Sequence, residues 1–371
     1  MVAAASVVVA IGTAAGLLSA AGDGGSDAAR PEVTGTPRLH PLPAVPSASP
    51  SPTSASPSAT PAKKPRAKAS PSPSPTARER RAAPASTRLY RHPESRVLDW
   101  VRANPDDPRR AVIESRIGAQ PAAVWFADYS PDTVTARVRS VTSGGAARGR
   151  VPVLVPYAIP DRDCGGHSQG GAPDLDAYDR WIDRFAAGLG SGEVVVVLEP
   201  DSVAQAECLS AGARADRFAS LARAGRVVKQ ANPRARVYFD AGHSGWHPPA
   251  RQATWLRQAG AASAASSDGI FSNVSNFHST ADEIAYDRRV LDALGGSGLG
   301  AVIDTSRNGA GAPADGEWCD PAGRKLGRAP TLDTGEAGID AYLWVKLPGE
   351  SDGCRGTPGT FTASYAYDLA R

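Results

Sequence analysis

The 371-residue chain has no aromatic residue before Tyr90, whereas 23 Trp, Tyr and Phe lie from that position onward. The front stretch instead packs 14 of the 32 prolines between Pro31 and Pro84, among Ser, Ala and Thr. Such a segment cannot bury enough apolar surface to offset the entropy of ordering it. A single 371-residue globule is therefore excluded, and the sequence predicts a disordered front followed by about 280 residues able to build one large core. Basic excess is missing from the part that can fold. Residues 1–91 hold 11 Lys/Arg against 4 Asp/Glu, while residues 92–371 hold 30 against 34. The formal charge of +3 thus describes neither part, and a basic nucleic-acid-binding face on the globule is excluded. Cysteine is scarce as well. Four residues, Cys164, Cys208, Cys319 and Cys354, suit two disulfides in an exported protein, with three pairings open.

Residues 2–21 lack charge entirely and are small to apolar. They read as the apolar part of a secretory signal, with Ser19-Ala20-Ala21 as small residues at a cleavage site, or as an uncleaved anchor in the membrane. The stretch is long enough to span a bilayer but poor in Leu and Ile, which favours the signal. SPSPTSASPSATPA and SPSPSPTA then mark a semi-stiff polyproline spacer. The organisation expected is a signal or anchor over 1–30, a Pro/Ser/Thr-rich linker over 31–88 and a folded domain over 89–371. That domain is expected outside the cell, either secreted or tethered to the outer face of the envelope.

The domain opens with a helix over Arg96–Ala103. Seven apolar runs follow, AVWFA, VPVLVPY, VVVVLEP, RVYFDA, GIFSN, AVIDT and AYLWVKL, centred near Trp125, Val153, Val195, Val237, Ile270, Val302 and Leu343. Helical patterns lie between them, as at Tyr178–Gly188, Asp216–Gln230 and Ala281–Leu294. Strands apolar on both faces and alternating with helices predict a parallel sheet, and seven such units suggest a closed α/β barrel more than an open sheet. The stretch from Asp304 to Leu343 has no helical pattern and reads as a long functional loop.

Polar residues gather where these runs end: Tyr157, Glu199 and Asp201, Asp240, Asn273, Asp304 and Lys346. In α/β barrels that end carries the active site, so the pattern points to a catalytic cleft, although one such acid is often only a helix cap. Other chemistries fit poorly. The DRDCGGH stretch (Asp161, Asp163, Cys164, His167) has no metal-ligand spacing, and Cys164 could not serve as a thiolate if bonded. Gly242-His243-Ser244-Gly245-Trp246 has Trp where a nucleophile elbow needs Gly. A glycine-rich phosphate loop is absent. What remains is carboxylates beside Trp125, Trp246 and Trp318. Aromatic faces on sugar rings, with one acid for the leaving oxygen and a second carboxylate for water, are what glycoside hydrolysis needs.

Seven motifs in order carry a resemblance: WVRANPDDPR, VPYAIPDRDCGGHS, VLEPDS, VYFDAGHSGWH, AVIDTSRNG, EWCDPAGR and LWVKLPGESDGC. From about Tyr90 to Arg371 the chain resembles glycoside hydrolase family 6, in its bacterial endoglucanase branch. The resemblance implies a distorted seven-stranded parallel (β/α) barrel, similar to a TIM barrel. It also implies β-1,4-glucan as partner, inversion at the anomeric carbon, and no cofactor or metal. By it, Asp201 is the general acid, Asp163 raises the acid's pKa and guides water, and Asp352 is the proposed general base. Tyr157 lies under the distorted sugar. Trp125, His243, Trp246, Asn276, Trp318, Lys346 and Glu350 bind glucan. Cys164–Cys208 and Cys319–Cys354 are the implied disulfides. Ala158 stands where the family usually has a polar residue. The short Thr305–Asp340 and Gly349–Phe361 stretches favour an open cleft and internal cutting over a tunnel and exo action. A monomer is expected. The alternatives are a cellobiohydrolase of the same family and a glucan-binding protein with impaired catalysis.

Overall fold

The computed structural model describes residues 88–371. The signal or anchor expected over 1–30 and the linker over 31–88 lie outside the described residues, apart from Arg88.

All seven apolar runs are strands: β1 (Val124–Phe126), β2 (Val153–Pro156), β3 (Val194–Leu198), β4 (Ala235–Asp240), β5 (Gly269–Ser272), β6 (Gly300–Asp304) and β7 (Ile339–Leu343). They pair in parallel and in chain order, β1 beside β2 through to β6 beside β7. Such a singly wound order curls the sheet toward a barrel. The barrel is distorted: among the described residues no ladder joins β1 to β7.

Alternation along each strand divides the apolar side chains between two cores. Val153, Val155, Val195, Val197, Tyr238, Phe271, Val302 and Leu343 fill the concave interior. Leu154, Val196, Leu198, Val237, Phe239, Ile270 and Ile303 face the helices outside. Both faces are buried, which is why the strands read as continuous Val-rich runs.

The helices are α1 (Arg96–Ala103), α2 (Arg110–Ile113, running on into a π turn over Glu114–Gly118), α3 (Val134–Ala146), α4 (Leu175–Ala186), α5 (Ala211–Ala231), α6 (Pro249–Gln258), α7 (Thr280–Leu294) and α8 (Ala363–Ala370). Helix α5 starts five residues before the predicted Asp216 because Ser210 caps it, accepting from Ala213 N–H at 3.2 Å. Ser279 caps α7 in the same way. The N-terminal α1 and α2 meet the C-terminal α8 in a third apolar packet. It includes Trp344, just past β7, and Ala122, just before β1, so it covers the gap in the barrel. The long Thr305–Gly338 loop carries no helix. It is held down by bridges Asn308–Lys325 and Thr331–Tyr342 and by Leu326 N–H on Leu369 C=O.

Candidate active site

The polar residues at the strand ends separate into two groups. Glu199, Asp240, Asn273 and Asp304 are buried and bond neighbouring backbone. Glu199 accepts from the N–H groups of Ala158 and Ile159 past β2 (2.9 and 3.1 Å). Asp240 accepts from Val203, Ala204 and Gly242 (3.1, 2.8 and 2.9 Å). Asp304 takes N–H groups from Ser306 (2.9 Å) and Lys346 (2.9 Å), and Asn273 donates to its carbonyl at 2.9 Å. These four staple one strand end to the next. Their place at strand ends therefore signals construction of the rim. Tyr157, Asp201 and Lys346 face the cleft instead.

That cleft has a volume of about 1180 Å³. Its wall brings together all four residues expected to act on the bond, Tyr157, Asp163, Asp201 and Asp352. The seven expected to bind, Trp125, His243, Trp246, Asn276, Trp318, Lys346 and Glu350, line it too. Every non-glycine residue with positive φ among the described residues lies in the loops that build this end. They are Asp161, Asp163 and Cys164 past β2, Glu199 and Asp201 past β3, Asn273 and Ser275 past β5, and Asp320 past β6. Strain of this kind persists only where the surroundings over-determine the backbone.

Asp201 is a carboxyl pushed well above the usual range. Burial is the main cause, followed by the Asp240 and Asp163 carboxylates, and a hydrogen bond from Tyr157 opposes them. Asp163 is fixed by Ser168 N–H on its Oδ2 at 2.6 Å. Arg162 pins the same loop. Its guanidinium lies 4.4 Å from the centre of the Tyr157 ring and donates to the carbonyls of Ala127 (2.7 Å), Ser168 (2.9 Å) and Tyr157.

Asp352 has the opposite electrostatics. Burial would raise its pKa, but the charges of Arg307 and Lys346 outweigh that and hold it at about 2. Arg307 Nη1 lies 2.7 Å from Oδ2 and Lys346 Nζ 2.8 Å from Oδ1. Arg307 is fully buried, 4.3 Å from the Phe277 ring centre, and also donates to Tyr365 Oη and the Ser275 carbonyl. Glu350 is a third state again, a carboxyl raised to about 7 by burial, against the pull of Lys346 and Arg96.

The aromatic residues are spread along the cleft. Trp125 meets Tyr157 edge-on with ring centres 5.3 Å apart. His243 stacks on His278 at 4.3 Å and lies 5.2 Å from Trp246. Burial, with the neighbouring His278 and His247, lowers His243 to about 3, which favours the neutral imidazole. Trp318 is 52% exposed, with His167 beside it at 5.8 Å. Asn276 donates from Nδ2 to the Val274 carbonyl.

Cys164 is bonded to Cys208 and Cys319 to Cys354. The first bridge uses the thiol that a metal reading of DRDCGGH would have needed. Sequence reasoning missed Arg307, Arg162 and Asp320. All three lie inside quoted motifs, but an Arg or Asp turned inward carries no mark in the sequence that separates it from a surface charge.

Residues 85–368 match the family model described as Glycosyl hydrolases family 6. The chain is 54% identical over 286 residues to Endoglucanase 1 of Streptomyces sp. (strain KSM-9), covering 77% of this chain and 78% of that protein. It is 51% identical over 283 residues to Endoglucanase A of Thermobispora bispora, covering 76% of this chain and 61% of that one. Among solved structures it is similar to the endoglucanase Cel6 from Mycobacterium tuberculosis in complex with methyl-cellobiosyl-4-deoxy-4-thio-β-D-cellobioside. The TM-score is 0.70 and the identity 40%, over 77% of this chain and 97% of that one.

Proposed function

The chain belongs to glycosyl hydrolases family 6 and is a cellulase, and from that premise we propose that it cuts internal β-1,4-glucosidic bonds of cellulose or soluble β-glucan with inversion. The observation that carries the reading is the electrostatic contrast across one cleft. Asp201 is driven toward its protonated form, while Asp352 is held ionised. A pair of carboxyl groups pushed apart in this way supplies an acid and a base at one pH.

In this reading Asp201 protonates the leaving oxygen, a contribution of roughly 10²–10⁴-fold. Tyr157 sits beneath the reacting ring and steadies Asp201 through its hydroxyl. Asp163 keeps the Asp201 proton in place and orients the attacking water. Asp352 is the base. Both its oxygens are engaged by cations, so it takes the proton through intervening water and stabilises the positive charge growing on the sugar. Trp125, Trp246 and Trp318 offer faces to successive rings. His243, Asn276, Lys346 and Glu350 bind hydroxyl groups.

One feature supports internal cutting: Trp318 is left exposed at the cleft. The long loop after β6 is tied to β7 and α8 by its bridges, and its residues Ala312, Pro313 and Trp318 line the cleft wall. The exo reading keeps some support from 32% identity over 290 residues to 1,4-beta-D-glucan cellobiohydrolase C of Emericella nidulans. Viscosity of carboxymethyl cellulose against reducing sugar released separates the two. A fast fall in viscosity per bond cut is expected, and a slow one would establish exo action. Proton NMR of the first products tests inversion, with the α-anomer expected at the new reducing end.

The domain plan belongs to the same proposal: a signal or anchor over 1–30, a linker over 31–88, and a monomeric catalytic domain over 89–371 acting outside the cell. The two disulfides support an oxidising location. Fractionation of a native host into medium, envelope and cytosol tests it.

A further inference from the structure

Asp320 lies outside the cleft wall, one residue past Cys319, buried to 3% exposure and held at φ +50°. Its carboxylate is taken up entirely by one segment of the next loop. Oδ1 accepts from Asp352 N–H at 2.7 Å. Oδ2 accepts from Ser351 Oγ (2.6 Å), Arg355 N–H (2.8 Å) and Cys354 N–H (3.1 Å). The backbone of Asp320 returns two bonds: its N–H donates to Asp352 Oδ2 at 3.1 Å, and its carbonyl accepts from Arg355 Nε at 3.0 Å.

We propose that Asp320 is a positioning residue for the hydrolytic reaction: its carboxylate is the template on which residues 351–355 fold, and that fold aims Asp352 between Arg307 and Lys346. The segment has no regular structure of its own and contains Gly353 at φ +135°. The Cys319–Cys354 bridge ties the same two loops, but a disulfide fixes a separation and leaves the direction of the Asp352 side chain free. A carboxylate receiving the N–H groups of residues 352, 354 and 355 fixes the orientation of the peptides that carry Asp352. Charged buried acceptors of this kind are among the stronger hydrogen-bonded ties. The inference rests on the reading that Asp352 serves the reaction.

The groups facing the Asp352 carboxylate are Arg307 from the loop past β6, Lys346 past β7 and Asp320 itself, with Tyr365 of α8 reaching it through Arg307. A misaimed Asp352 leaves the two cations and titrates as an ordinary carboxylate near pH 4. The test compares the full chain with Asp320→Asn, the double variant Cys319→Ser/Cys354→Ser, and Asp352→Asn on a soluble cello-oligosaccharide. Asp320→Asn is expected to lower kcat by about tenfold or more, to leave KM within about threefold, and to add an acid limb near pH 4 to the kcat profile. The double cysteine variant is expected to lose thermal stability while keeping the wild-type kcat and pH profile. Wild-type kcat and profile in Asp320→Asn would overturn the proposal, as would the same two changes in the cysteine variant. Full kcat in Asp352→Asn would instead overturn the reading of Asp352 and the proposal with it, and only that variant distinguishes the two failures. Should Asp320→Asn not fold by circular dichroism, Ser351→Ala removes one donor alone, and a smaller change of the same sign in kcat and profile is expected; an unaltered profile overturns the proposal.

Discussion

The indole Nε1 of Trp125, in β1 on one side of the gap, donates to the carbonyl of Val345, just past β7 on the other, at 2.8 Å. With Ala123 N–H on Trp344 C=O at 2.9 Å, it clasps an edge that no ladder closes. One residue therefore lines the cleft and clasps the barrel seam together. Trp125→Phe separates the roles. It keeps a ring in the cleft and removes the bond, so a stability loss of about 1 kcal/mol is expected by urea denaturation, with a small change in KM. Trp125→Ala is expected to raise KM as well.

Asp201→Asn keeps the shape of the acid and removes its proton donor. Hydrolysis of natural glucan is expected to fall by roughly 10²–10⁴-fold in kcat, with oligosaccharide affinity retained in calorimetry. A substrate whose leaving group needs no protonation is expected to recover much of the loss.

As the proposed acid, Asp201 acts in its protonated form, so activity is expected to fall as pH rises through its pKa. Asp240 and Asp163 both raise that pKa through their negative charge. Asp240 holds three backbone donors, so its replacement would damage the rim; Asp163→Asn is the cleaner variant. Removing that charge lowers the pKa of Asp201, and the alkaline limb of the kcat profile is expected to move to lower pH.

Glu283 and Asp287, one turn apart on α7, are both buried, and each keeps one carboxyl oxygen without a hydrogen-bond donor. Burial raises both, and the Glu283 charge raises Asp287 further. A proton shared between them accounts for both oxygens. Groups with raised folded-state pKa contribute stability that is full below the unfolded value near pH 4 and lost as pH rises through the folded value. Asp287→Asn removes the Asp287 share of this dependence. Its melting temperature is expected to fall less steeply with pH than that of the wild type, as followed by calorimetry.

The bridges close loops with sequence separations of 44 and 35 residues. Loop-closure entropy assigns about 4 kcal/mol to each before strain. Reduction with confirmed free thiols is expected to lower the melting temperature by several degrees or more. An unchanged temperature would show that the hydrogen bonds of Asp320 and its neighbours hold the loops unaided.

The seven strands were legible because a strand buried on both faces has to be apolar throughout, as VVVVL is. Helices α3, α6 and α8 were not, since Ser, Gly and Arg among their apolar positions blur the period. The acids past the strands were visible as a group, but their duties were not. Glu199 and Asp201 stand two residues apart in one motif. One staples the backbone past β2, and the other faces the cleft beside Tyr157.

The sequence by itself determined the alternation of strands and helices, the pairing of motif with family, and which eleven side chains would be found in one cleft. Only the tertiary structure decided which carboxyl is pushed toward its protonated form and which toward its charged form. Burial beside Asp240 and Asp163 pushes Asp201 toward its protonated form, and Asp352 is held toward its charged form between Arg307 and Lys346. Asp240, Asp163 and Arg307 lie some 40 residues along the chain from the acid they tune. A carboxyl group's protonation is set by the field at its position in space, and in this barrel that field is assembled from neighbouring strands.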